Sequence, residues 1–301
     1  MSAGFAPAPE PGAMTCAVFD GARAPDLAAR LTQARLQFSL LFQSPDPGEA
    51  SAGPHLVRVD TPAQQAALAE ALDADAAPVW WLWPAGLDAK TELYRHLRTL
   101  NQVEIPRDRY DASEPPPPGA SAYERVIFRH ADPNVLAQFW AVLSEAQKRR
   151  FVGAARRVVF YAPGFGGRTE LEAPETAPSP HRGPLRLSPD QYDRLGDARG
   201  AASRDRIAAY LRRVAPEQTR DWSDEHLRDY VKRAEISGRR TGLRSERALG
   251  KWAFLSLVTH GAIERDAYAT SVLREGGPNP DANLDTLFDA LITAKRAQEV
   301  G

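Results

Sequence analysis

Along the first half of the chain, short apolar runs alternate with stretches in which apolar residues recur every three or four positions. The runs are Cys16 to Phe19, Phe38 to Phe42, His55 to Val59, Val79 to Trp83, Gln102 to Ile105, Tyr123 to His130 and Arg156 to Tyr161. Bounded by Gly, Pro and Asp, runs of this length read as strands. The intervening stretches read as helices with recognisable starts. Pro25-Asp26 opens one that aligns Leu27, Leu31 and Ala34. Thr61-Pro62 opens the next, with Gln64 completing a capping box. Asp88 to Leu100 aligns Leu93, Leu97 and Leu100. Asp132-Pro133 opens a helix with Leu136, Phe139, Trp140 and Leu143 on one stripe, and Ser144 to Gln147 is a further capping box. The SPDPGEASAGP segment after Phe42 reads as a loop. Arg107 to Ala120, with four consecutive prolines, cannot pair within a sheet. Alternating strands and helices predict an α/β or α+β lobe with a small mixed sheet over residues 14–163.

The pattern changes after Tyr161. Residues 164–185 are rich in Pro and Gly and poor in large apolar side chains, which predicts a linker. From Ser188-Pro189-Asp190-Gln191, another capping box, the periodicity is helical. Ile207, Tyr210, Leu211 and Val214 form one stripe, and Leu227, Tyr230, Val231 and Ala234 a second after a Ser223 cap. Ser245 caps a helix carrying Leu249, Trp252 and Leu255. The last stripe, Leu284, Leu287, Phe288, Leu291 and Ile292, follows a cap assigned to Asn283. Residues 186–299 are therefore expected to be an all-helical lobe. Residues 1–13, rich in Pro, Ala and Gly, are expected to be disordered, with order beginning near Cys16.

Composition narrows the chemistry. The chain has 301 residues, 43% apolar and 26% charged, with a net charge of −1. No long-range field favours nucleic acid or anionic membrane. One cysteine, Cys16, cannot build a disulfide framework or a thiolate metal cluster. The six histidines lack helix-face metal spacing, so neither metal nor cofactor is expected. The N-terminus has no basic or apolar region of a secretory signal. No uncharged stretch exceeds the 12 residues of Ala76 to Leu87, short of the roughly 20 needed to span a bilayer. A cytoplasmic protein is the expectation.

Several residues invite a functional reading. Gly164-Phe165-Gly166-Gly167-Arg168 follows a strand, but acidic, Pro-rich sequence replaces the helix a phosphate cradle needs, and a flexible linker is the simpler reading. Asp132 at a strand–helix junction could be a catalytic acid; with Pro133 beside it, helix capping is simpler. Arg129 shares strand alternation with Ile127 and would need a carboxylate if it points inward; Asp20, which ends the first strand with Gly21, is a candidate partner, and an exposed edge arginine is the alternative. Trp81 and Trp83 share one face of a strand and Trp80 takes the other. Core packing accounts for all three, while an exposed Trp80 would suit a protein interface. Residues 232–251 carry seven Lys or Arg against Glu235 and Glu246, a polarised stretch that could meet phosphates, an acidic protein or only solvent. No hydrolase, zincin or P-loop motif stands in a supporting context, and no catalytic residue is assigned.

One stretch carries a family resemblance: Phe128-Arg129-His130-Ala131-Asp132-Pro133-Asn134-Val135-Leu136, the spacing FRxxDPxVL. With it, in order, stand Val18-Phe19-Asp20-Gly21-Ala22, Pro25-Asp26-Leu27, Pro54 to Val57, Trp80 to Trp83, Leu93 to Leu100 and the Phe151 region. Over residues 16–163 the chain resembles the adaptor domain of type VI secretion effector chaperones, a family first described as a domain of unknown function. Ser188 to Val214 and Asp281 to Ala294 resemble the helical tail of many such adaptors. The resemblance implies a non-enzymatic cytoplasmic factor without cofactor. It would hold a cognate effector toxin through an N-terminal or pre-toxin segment and load it onto the C-terminal region of the spike protein VgrG. Asp20, Gly21, Phe128, Asp132, Pro133 and Leu136 are its structural motif. Trp80, Arg129, Arg239, Arg240 and Trp252 are taken as partner-binding residues on a concave face, since aromatics and arginines dominate interface energetics. Membrane and nucleic acid are not expected as partners. The alternatives are a nucleic-acid module using residues 232–251 and an enzyme with an unrecognised site between the lobes.

Overall fold

The structure is a computed structural model that describes residues 6–72, 76–107, 121–172, 183–275 and 279–288. An N-terminal region of strands and helices precedes a helical C-terminal region. The chain divides into two compact units, residues 1–198 and 199–301.

Six strands build the main sheet of the first unit: β1 (Ala13–Asp20), β2 (Phe38–Leu40), β3 (Pro54–Arg58), β4 (Val79–Pro84), β7 (Arg157–Ala162) and β8 (Gly167–Glu172). Their order is β2-β3-β1-β4-β7-β8, and every neighbouring pair is antiparallel. A second sheet of three strands has the order β6-β5-β9, from β5 (Gln102–Pro106), β6 (Tyr123–Ile127) and β9 (Leu185–Arg186). There β5 and β6 are antiparallel, and β5 and β9 parallel.

The central strands of the main sheet are covered on both sides, which explains their unbroken apolar runs. Cys16, Trp81 and Val158 sit in register on one face. With Met14, Val18, Trp83 and Phe160 they join a core completed by α4 (Ala89–Thr99), α5 (Pro133–Val142) and α6 (Glu145–Val152), through Leu93, Leu97, Leu136, Phe139 and Phe151. Ala17, Trp80 and Val159 occupy the opposite face, under α1 (Leu27–Gln33) and α3 (Pro62–Ala71) through Leu27, Leu31 and Leu68. A strand buried on both faces has no polar side to alternate with.

Local sequence fixes the helix starts. The three capping boxes of this unit form in full, at Thr61/Gln64, Ser144/Gln147 and Ser188/Gln191. The Asp132 carboxylate accepts from the amides of Asn134 (2.9 Å) and Val135 (3.4 Å), with Pro133 in the first turn. Each such cap is worth about 1 kcal/mol.

Several expectations need correction. The segment after Phe42 contains a short helix, α2 (Pro47–Ala52), which Asp46 caps through the Gly48 amide at 2.7 Å. Residues 6–13 are not loose where described: Arg156 donates to the Pro11 carbonyl (3.0 Å), Glu10 pairs with Arg157, and β1 begins at Ala13. The start of the proposed linker is structured too. Gly166 (φ 89°) and Gly167 (φ 79°) turn β7 into β8, a hairpin that needs left-handed backbone, so the glycine-rich loop is neither phosphate cradle nor tether. The linker's residues 173–182, most of the Pro-rich 107–120 excursion and the stripe positions Leu291 and Ile292 lie outside the described residues.

The helical region comprises α7 (Pro189–Val214), α8 (Pro216–Thr219), α9 (Asp224–Arg240), α10 (Glu246–Val258), α11 (Ala262–Arg265), α12 (Ala267–Glu275) and a last helix over 280–288. The unit division falls within α7, after residue 198, where the sequence placed it near 186. Tyr192 and Leu195 pack against the first core, which carries the start of α7 with it. In the second unit Leu227, Val231 and Ala234 of α9 share a core with Leu249, Trp252 and Ala253 of α10. A Cβ on Gly238 would stand 2.9 Å from the Trp252 ring, so this crossing requires glycine. Asn283 lies inside the last helix, and Asn279 caps it instead, its side chain accepting from Ala282 at 3.3 Å.

Candidate functional site

Where β1 ends, its last residue must both close the strand and start a turn. Asp20 does so by accepting from the Ala22 amide at 3.1 Å. Gly21 next to it lies against another backbone. Its amide donates to the Gly53 carbonyl (3.2 Å), and a Cβ would collide with the Ser51 carbonyl and stand 2.6 Å from that of Gly53. This close approach brings the end of α2 and the start of β3 beside Asp20.

The segment after β6 arrives from the other side. Phe128 donates its amide to Asn101 (2.8 Å) and buries its ring against Phe139, centroids 4.1 Å apart. Arg129 turns back to Asp20: its Nε donates to Oδ2 at 2.8 Å, and a terminal nitrogen also meets that oxygen. Arg23 donates to Asp132 Oδ2 at 3.2 Å, and Arg129 lies 3.8 Å from the same oxygen. Two nearly buried carboxylates thus share two arginines, and contacts 109 residues apart lock the first strand to the α5 cap. Leu136 lies fully buried below.

His130, in the same turn, is fully buried. Its Nε2 meets Asn101 Oδ1 at 3.1 Å, while Nδ1 has no hydrogen-bond partner. Burial, and then the nearby His96, push the imidazole down to about 3, so it stays neutral at ordinary pH. The Asn101 amide nitrogen donates to the Leu41 carbonyl at 2.8 Å, completing a chain that fixes the turn.

These elements enclose a groove of about 360 Å³ lined by Asp20, Ala22, Phe42, Glu49, Ala52, Gly53, Pro54, Asn101 and residues 127–129 and 131. Its surface is mainly apolar, and its polar groups already have partners within the chain. Asp20 and Asn101 are engaged as above, and Glu49 accepts from the Ser44 hydroxyl at 2.7 Å. Ile127 stands at its mouth, 66% exposed. Such a groove is suited to receiving an apolar side chain. Sequence reasoning missed Phe42, Ala52, Pro54 and Ile127 as lining. The available signal was Ile127, an apolar residue in line with Tyr123 and Arg125 on the outer face of a strand.

Of the residues taken as partner-binding, Arg129 lies at this groove. Trp80 does not: it is 4% exposed, because α1 and α3 cover the face onto which it points. Trp252 is also a core residue, 0% exposed, its indole donating to Ser237 Oγ at 2.8 Å. Arg239 and Arg240 are exposed on α9, and Arg239 pairs with Glu235 at 2.9 Å. The basic stretch is met in part by acids of its own unit: Lys251 and Arg247 reach Asp285 at 2.7 and 3.4 Å. Among the described residues, no group of three or more His, Cys, Asp or Glu is placed to hold a metal ion, and no helix is long and apolar enough to cross a membrane.

Residues 16–150 match a family model described as Domain of unknown function (DUF4123). The match begins within β1 and ends within α6, so it takes in Asp20, Gly21, the FRxxDPxVL turn and every groove residue. It stops short of β7, β8 and the helical region. No curated protein and no solved structure matches the chain.

Proposed function

We propose that the protein is a non-enzymatic type VI secretion adaptor that holds a cognate effector and loads it onto VgrG. The observation that carries this reading is the family match over residues 16–150, which lies within the stretch that resembles those adaptors. The groove supports it chemically. Its lining is mainly apolar, and Asp20, Asn101 and Glu49 hydrogen-bond to neighbouring residues of the chain. What remains is an apolar recess beside half-exposed arginines, which suits reversible binding of another polypeptide.

The test is co-purification of the tagged full-length chain with the product of the adjacent downstream gene, then with the VgrG C-terminal region added. A stoichiometric complex in moderate salt is expected. A chain that captures neither partner at low salt would sink the adaptor reading. The nucleic-acid alternative loses ground from the ion pairs of Arg239, Arg247 and Lys251. Steeply salt-dependent binding to DNA or RNA would restore it.

A further inference from the structure

Among the described residues, the small sheet ends in an edge strand beside the groove. Strand β6 pairs with β5 and is the terminal strand of the order β6-β5-β9. The backbone bonds from Phe128 to Asn101 and from Arg107 to Ala122 fix the phase of this ladder. Antiparallel pairs alternate between bonded and non-bonded positions. Glu124 and Val126 therefore turn their N–H and C=O groups toward β5, and Arg125 and Ile127 turn theirs away. Among the described residues, neither Arg125 nor Ile127 has a backbone partner on that outer side. β6 runs toward the groove, where exposed Ile127 forms part of the lining.

Charge along this edge is unevenly exposed. Arg23, Arg125, Arg129 and Arg186 have side chains 42% to 62% exposed. Their carboxylate partners Asp20, Asp132 and Glu104 are only 7% to 14% exposed. The acids lie underneath and the guanidinium groups face outward. A partner arriving at β6 meets backbone without a partner among the described residues, then cationic nitrogen, then an apolar recess.

We propose that β6 accepts an extended segment of a partner polypeptide as a fourth strand of the small sheet. An apolar side chain of that segment seats in the groove, and flanking carboxylates meet Arg125 and Arg129. The inference rests on the adaptor reading for who the partner is. Its chemistry follows from the edge itself: backbone pairing gives affinity and the recess selects the side chain. A helix would fill the recess but leave the Arg125 and Ile127 backbone unpaired.

The experiment is selection of a random linear peptide library against the full-length chain, followed by amide protection measured by NMR on the enriched peptides. Enriched sequences should combine an apolar residue with Asp or Glu, and their binding should protect the Arg125 and Ile127 amides. Two variants test the geometry, the first at the edge and groove mouth together and the second in the groove alone. Ile127→Pro removes an outward donor without removing a ladder bond, and proline is tolerated on edge strands. Ala52→Trp fills the groove from an exposed position. Each should weaken binding about tenfold or more. No enrichment over the Ile127→Pro protein, or binding without protection of the two amides, would overturn the proposal. The outcomes also separate it from the adaptor reading. Peptides that bind in this way while the neighbouring gene product is not captured leave the strand-acceptor site standing and the adaptor reading fallen. A captured gene product indifferent to both variants does the reverse.

Discussion

The two arginine-bearing regions of this molecule differ in where their carboxylates lie. At the groove, Asp20 and Asp132 are nearly buried and come from opposite ends of the α/β unit to meet Arg23 and Arg129. In the helical unit, residues 232–251 hold the densest positive charge in the chain; there Arg247 and Lys251 meet Asp285, which is 40% exposed, while Glu235, shared by Arg204 and Arg239, is 12% exposed. Charge density along the sequence pointed to the second region, while burial sets the Asp20 and Asp132 pairs apart from the pairs at Asp285. A buried carboxylate must keep its partner or lose heavily, whereas an exposed pair is worth little.

Substitutions can break this contrast, beginning with the tightest point. Gly21→Val should destabilise the protein by about 3 kcal/mol in chemical denaturation, since the new Cβ would enter carbonyl oxygens of residues 51 and 53. A loss under about 1 kcal/mol would show that the wall beside Asp20 gives way, and that the groove is not rigidly built. Arg129→Ala should cost about 2 kcal/mol, discounted for its half-exposed side chain, because it strands Asp20 and weakens the charge balance at Asp132. In a double-mutant cycle with Asp20→Ala the losses should be clearly less than additive.

Acid should separate the two units. Burial lowers the pKa of His55, His96 and His130, all in the first unit. The unfolded chain takes up protons near pH 6.5 while the folded rings stay neutral. Stability therefore falls as pH drops below 6.5, by up to about 1.4 kcal/mol per pH unit for each such histidine, and for His130 the window extends to about 3. In the second unit, arginine and lysine hold Glu246 and Asp285 below the usual carboxylate range. Those pairs lose their contribution only as pH falls through the carboxylate range, below about 4.5. Urea denaturation followed by tryptophan fluorescence across this range should show the first unit weakening earlier, and His130→Gln should reduce the slope by about one proton. Smallest of all, Arg247→Ala should change stability by about 0.5 kcal/mol or less. A larger effect would mean that the exposed pairs matter as much as the buried ones.

Much of this was legible in the chain. The capping boxes at Thr61, Ser144 and Ser188 form where the sequence places them, because each is a contact between neighbours only three residues apart. The pairing of Arg129 with Asp20 was legible as a candidate, because a strand-ending Asp supplies a carboxylate, although Arg129 itself is half-exposed rather than inward. The β7–β8 hairpin was not, since the same glycines serve a tether or a turn, and only pairing of Arg157 to Ala162 with residues 167–172 distinguishes them. Nor was the fate of Trp80. Alternation places it opposite Trp81, but whether that face meets water depends on α1 and α3 folding over it.

The sequence by itself determined the local elements, their caps and the periodic faces that must be buried, since these depend on backbone preference and side-chain spacing within a few residues. Tertiary structure decided the rest: which strands became neighbours, which arginines met buried acids, and that β6 is the edge strand of its sheet among the described residues, beside an apolar groove. Those outcomes depend on contacts between residues as much as 109 positions apart, and no local pattern encodes which distant surface will arrive to cover or complete a site.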